Sequence, residues 1–224
     1  MGMQKHHINI NGNIMKNNWL LLIDAGHGGL INGVYQTAGK RSPLFDDGKT
    51  ILYEGVNNRD NAVKIISLLT QNGFECKDIV NSNSDVPLYK RVKDANELGK
   101  TRKCVYISIH SDAMGDGTTW QPASGISVYT SIGQTKSDVF ASLVIDGLEE
   151  KFGNTVKWRK DETDKDEDKE ENFYVLKETT MPAVLLELGF HTNKEEAKRM
   201  LTNEFKDKLC NAILSAVRKW EAMG

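Results

Sequence analysis

Cysteine is scarce: only Cys76, Cys104 and Cys210 occur, an odd number with no Cys-x-x-Cys pair. That excludes the dense disulfide framework of a small secreted scaffold and a four-thiolate zinc site, and it leaves three buried or half-buried thiols. Long apolar runs are missing as well. No stretch approaches the roughly 20 apolar residues of a membrane helix, and MGMQKHHININGNIMKNN lacks the apolar centre of a secretory signal. The opening Met-Gly departs from the myristoylation pattern, because His6 stands where serine or threonine is required. Residues 1–18 therefore read as a flexible tail, with His6 and His7 in it. Excess charge is absent too. Twenty-nine Lys and Arg against 31 Asp and Glu leave a formal charge of −2, which implies neither nucleic acid nor an anionic membrane as partner.

Two missing motifs narrow the chemistry. Without His-Glu-x-x-His the chain is not a helix-borne zinc protease, and without Gly-x-Ser-x-Gly it is not a serine hydrolase of the elbow type. A cysteine hydrolase pairing Cys104 with His110 fails on reach, since extended chain would hold them about 20 Å apart.

What is present is 224 residues, enough for one full core, so residues 19–224 are expected to form a single domain. WLLLIDAGHGG is an apolar run too short for a helix that breaks at glycines, which predicts a buried strand ending just before His27. Val63, Ile66 and Leu69 recur at helical spacing and Asn72-Gly73 closes the segment, so Glu54 falls at or just before a helix start. A second helix is predicted after Pro87, with Leu88, Val92 and Ala95 at helical intervals. The β-branched and aromatic CVYISIH places a central strand at Val105 to Ile109 with His110 just past it. GISVYT and AVLLELG read as strands, the latter delivering Glu187 at its end, and Ser137–Phe152, Lys194–Met200 and Asn203–Trp220 read as helices. This alternation predicts a three-layer α/β arrangement, a central, mainly parallel twisted sheet with helices on both faces, and a site beyond the strands' carboxyl ends.

Two segments break the pattern. Residues 28–53 are glycine-rich and long for a connection, either a substrate wall or a surface loop. KDETDKDEDKEEN, residues 160–172, has no apolar face and reads as a solvated or disordered loop; a calcium site is the alternative, although the segment lacks the spaced Asp, Gly and Glu of a calcium loop.

Hydrolytic zinc takes three nitrogen or oxygen ligands and keeps a fourth position open, and a nearby carboxylate then serves as base. His27, His110 and a glutamate would supply such a set. Taken singly each has a bland alternative: a hydrogen-bonded histidine after a strand, a glutamate favouring a helix dipole, a paired buried carboxylate at Glu187. Glu187 is the sharpest signal, because a carboxylate closing AVLLEL is costly to bury unpaired.

LLIDAGHGG, Glu54 with Asn58 four residues on, SDVPLYKRVKDAN, SIHSDA and MPAVLLELGFHTN, in that order, resemble the N-acetylmuramoyl-L-alanine amidases of the amidase-3 type. The resemblance runs from about Leu20 into the last helix. It implies Zn2+ held by His27, Glu54 and His110, with Glu187 as the catalytic carboxylate. It implies hydrolysis of the amide between N-acetylmuramic acid and L-alanine, with peptidoglycan as the partner and a monomeric enzyme. Asp85, Leu88, Arg91, Ala95 and Asn96 match a motif whose implied role is packing and loop support. The segment before Glu54 is longer than in the simplest members, so Asp46 or Asp47 stands as an alternative ligand. His191 departs from the pattern and is expected at the surface or behind a ligand. The resemblance is to a bare catalytic domain acting on the cell wall, secreted or periplasmic, or cytoplasmic until a holin releases it as a phage endolysin. A wall-binding module that has lost turnover is the alternative.

Overall fold

The computed structural model describes residues 19–161, 163 and 166–224, so the expected tail of residues 1–18 lies outside the described residues. Its elements in chain order are β1 (Trp19–Ala25), a small hairpin of β2 (Leu30–Ile31) and β3 (Val34–Tyr35), α1 (Glu54–Gln71), β4 (Glu75–Asp78), α2 (Leu88–Gly99) and β5 (Lys103–Asp112). There follow β6 (Ser127–Thr130), α3 (Lys136–Phe152), β7 (Lys169–Glu170), α4 (Tyr174–Lys177), β8 (Ala183–Phe190), α5 (Lys194–Met200) and α6 (Asn203–Ala222).

Six strands form one sheet in the order β4-β1-β5-β8-β6-β7. The β4, β1, β5 and β8 neighbours are parallel, whereas β6 runs antiparallel to β8 and then pairs in parallel with β7. The expected three-layer arrangement with a mainly parallel sheet is what forms. Alternation along the strands divides the core in two. Leu21, Ile23, Val105, Ile107, Val184 and Leu186 face a large core completed by α1, α3 and α6. Leu20, Leu22, Cys104, Tyr106 and Leu185 face a smaller one under α2 and α4. Because both faces are covered, the central strands are apolar almost throughout, as a buried parallel sheet requires. Among the described residues no helix is long and apolar enough to cross a membrane.

Three expectations need adjustment. β5 runs on to Asp112, with its register shifting between His110 and Asp112, so His110 lies within the strand and not past it. Glu187 likewise lies inside β8, opposite His110 on one side and Ser127 on the other. The loop of residues 28–53 is ordered around the β2–β3 hairpin and packs Tyr35 on Tyr53, with ring centroids 4.6 Å apart.

Candidate metal centre

Three segments carry the site. β1 ends at Ala25 and the chain turns sharply at His27, which has φ of 64°. A side chain in that left-handed region is uncommon and must be held by its surroundings. The holding is visible. Buried Arg91 on α2 places Nη1 2.7 Å from Asp24 Oδ1 and 3.0 Å from the Ala25 carbonyl, and its Nη2 reaches the His27 carbonyl at 3.5 Å. Ser108 on β5 donates to the other Asp24 oxygen at 2.7 Å. Asp85 and Thr37 extend the brace, Thr37 donating to Asp85 at 2.6 Å and accepting the Gly28 N–H at 2.8 Å. The supporting role expected for Asp85 and Arg91 matches these contacts, and Asn96 ties down the segment before β8 by donating to the Glu178 carbonyl at 2.8 Å and accepting the Thr180 N–H.

Glu54 opens α1, where a negative side chain suits the helix dipole. Gly55, the next residue, has no room for a Cβ, which would collide with the Gly28 carbonyl. Gly26 is equally constrained, since a Cβ there would enter the His110 ring. These two close approaches bring β1, α1 and β5 together. Glu54 Oε1 lies 3.2 Å from His27 Nε2 and 3.2 Å from His110 Nδ1, and it accepts the Ser111 N–H at 3.1 Å. The two imidazole rings stand nearly perpendicular, 5.0 Å between centroids.

Donor atoms of His27, Glu54 and His110 all lie within 4.8 Å of one another. Asp46 and Asp47, the alternatives to Glu54, are elsewhere: Asp46 pairs with Lys194 at 2.5 Å, and Asp47 caps the turn to Thr50. Burial opposes ionisation of Glu54, but its bonds with His110 and His27 outweigh that and hold its pKa well below the usual carboxylate range. Burial likewise works against charge on His110, and Glu54 outweighs it to raise the imidazole pKa. Glu54 Oε2 is buried without a hydrogen-bond partner. A buried charged oxygen left over in this way fits a cation that would complete the cluster. The donor set is thus consistent with a metal ion.

Glu187 stands apart from the donor cluster but shares its cavity of about 290 Å3, which is also lined by Lys40, Leu88, Phe173 and Tyr174. Its Oε2 has no partner either. Burial pushes its carboxyl up to about 8, against the favourable pull of His110, with Glu54 and Asp112 adding to the rise. Two carboxylates in one cavity are therefore driven in opposite directions.

Of the two places expected for His191, at the surface or behind a ligand, it takes the second. It is fully buried, with Nδ1 3.0 Å from both Ser111 Oγ and the Ser111 carbonyl and 3.9 Å from Glu54 Oε2, so it backs the residue whose N–H holds Glu54. Burial lowers its pKa. Its place after an apolar strand is the available signal, and its backbone N–H bonds to the Asp112 carbonyl at the end of β5, 2.9 Å away. Lys40 and the aromatic wall of Phe173 and Tyr174 had no pattern in the sequence, because they reach the cavity from the long loop and from a four-residue helix.

Two imidazoles and one carboxylate converging in an open cavity, beside a second carboxylate with a raised pKa, match the donor pattern of a metal-dependent hydrolase on an α/β scaffold. The family model described as N-acetylmuramoyl-L-alanine amidase (Amidase_3) matches residues 21–219, and the chain belongs to that family. It is 24% identical over 88% of its length to the N-acetylmuramoyl-L-alanine amidase AmiA of Escherichia coli, spanning 74% of that protein. It is 25% identical over 90% of its length to an uncharacterized cell wall amidase of Bacillus anthracis, spanning only 36% of it. The catalytic domain of CwlV, an N-acetylmuramoyl-L-alanine amidase from Paenibacillus polymyxa, superposes with a TM-score of 0.70 at 26% identity, over 92% of this chain and 99% of that one.

Proposed function

We propose that this chain hydrolyses the amide joining the lactyl group of N-acetylmuramic acid to L-alanine in peptidoglycan, with Zn2+ held by His27, Glu54 and His110 and with Glu187 as general base. The observation that carries the reading is one cavity containing both a convergent two-histidine, one-carboxylate donor set and a separate buried carboxylate without a partner. Family membership supports the bond and the substrate, and the nitrogen-rich donor set favours zinc over calcium or magnesium, which prefer oxygen.

Zinc, when bound, supplies a Lewis acid that polarises the scissile carbonyl and makes water acidic enough to attack at neutral pH. The chain's own residues do the rest. Glu187, as the carboxylate, accepts a proton from the attacking water on its free Oε2 and passes it to the departing alanine nitrogen as the carbon–nitrogen bond breaks. Leu88, Phe173 and Tyr174 offer an apolar wall for the sugar ring or peptide, and Lys40 offers a cation to a stem-peptide carboxylate. Ser111 and His191 keep Glu54 aimed. Secretion and holin release both bring it to the same wall and alter none of these residues.

Purified peptidoglycan incubated with the protein should release new L-alanine amino termini and lose turbidity, and a zinc chelator should abolish both. Chelator-insensitive release would remove zinc from the mechanism, and new termini at a residue other than L-alanine would reassign the bond.

A further inference from the structure

Part of the charged segment of residues 160–172 is turned inward at its described residues Asp166 and Asp168. Asp168, just before β7, is 1% exposed, and Asp138, in the first turn of α3, is 4% exposed. Together with Asp166 they offer carboxylate oxygens within 4.8 Å of one another. Asp166 Oδ1 and Asp168 Oδ1 are buried and have no hydrogen-bond partner. Thr130 Oγ1, at the end of β6, lies 2.6 Å from Asp168 Oδ2 and 3.1 Å from Asp138 Oδ1, but a hydroxyl has one proton and serves one of them at a time. The remaining oxygens are engaged elsewhere: Asp138 Oδ2 accepts the Thr135 N–H in the cap of α3, and Asp166 Oδ2 accepts from Gln134 at 2.9 Å.

Among the described residues no cation neutralises the cluster. Lys160, in the same segment, pairs with Glu149 and Glu167 instead. Burial, with Asp166 and Asp138 facing it, pushes the Asp168 carboxyl up to about 7. Three facing carboxylates, two of them with an orphaned oxygen, are costly unless something positive sits among them. All the available donors are oxygen, which selects a hard cation, and the unconstrained mixture of carboxylates suits the flexible coordination of calcium better than the strict octahedron of magnesium.

We propose that Asp138, Asp166 and Asp168 form a calcium site, separate from the cavity and independent of what the cavity does. The third carboxylate comes from α3, far back in the chain, which is why the segment lacks the continuous Asp, Gly and Glu spacing of a calcium loop. Calcium there would clasp the end of the charged segment to α3 and to the end of β6, immediately before the chain enters the α4 wall of the cavity.

The test uses zinc-loaded protein freed of loosely held cations on a chelating resin and titrated with calcium chloride alone. The melting midpoint should rise by roughly 5 °C at saturating calcium, and trypsin cleavage within residues 160–169 should slow. Asp168→Asn and Asp166→Asn, assayed separately so that a folding failure in one leaves the other, should lose that rise while keeping wild-type zinc content. No response of the wild-type protein to calcium overturns the proposal, as does a larger response to magnesium, or a calcium shift that survives in either folded variant.

Discussion

Two clusters of three donors lie at opposite ends of a functional range. In the cavity, one carboxylate is shared between two imidazoles, and a second carboxylate stands nearby with a free oxygen. At the edge of the sheet, three aspartates face one another with a single threonine hydroxyl between two of them. The first set mixes nitrogen with oxygen and opens on a cavity of about 290 Å3, while the second is all oxygen and closed. Donor type and access, more than the number of donors, separate a centre suited to chemistry from one suited to fastening.

The largest effect that would sharpen this contrast comes from the cavity residues. His27→Ala or His110→Ala should lose both zinc and turnover, whereas Glu187→Gln should keep zinc while turnover falls by about 10²–10⁴-fold; metal analysis beside peptidoglycan hydrolysis checks both. Loss of zinc from Glu187→Gln would make Glu187 a ligand and end its role as base.

Next comes the brace behind His27. Arg91→Met leaves Asp24 charged and buried with only Ser108 as side-chain partner, and removing one member of a buried pair typically costs about 3–5 kcal/mol. Denaturant unfolding should show that loss. A value near that of a surface substitution would mean that water takes over the arginine's place.

The last effect is confined to one side of the pH range. Glu187 has its folded-state pKa raised to about 8 from 4.5, so the folded, metal-free protein prefers it protonated. Ionising it costs stability progressively as pH rises from about the unfolded value through about 8. Glu187→Gln should therefore raise the melting temperature of metal-free protein at pH 8.5 and change it little at pH 5. A gain of the same size at both values would show that the effect is not ionisation.

Much of this was readable in the sequence because it is local. The apolar runs of β1, β5 and β8 and the helical periodicity of α1, α2, α3, α5 and α6 each lie within one segment. β4 was missed because ECKD, an edge strand, is mostly polar, and α4 because four residues are too few for a period. The antiparallel direction of β6 is a property of sheet order, which no local pattern records. In the site, His27, Glu54, His110 and Glu187 meet in one cavity as the ordered motifs implied. The burial of His191 and of Asp168 was hidden, because a polar residue outside an apolar run looks solvated until its neighbours from other elements are known.

The contact between Gly55 and the Gly28 carbonyl has one more consequence. At this junction the helix that carries Glu54 and the turn that carries His27 meet backbone against backbone, with no side chain between them whose rotamer absorbs an error. Alignment at the donor cluster is thus a matter of tolerances, in which a displacement of a few tenths of an ångström at this junction passes undamped to the donor atoms. A side chain added at Gly55 would push these two backbones apart and detune the centre, so one sensitive point of the site is a residue with no functional group at all.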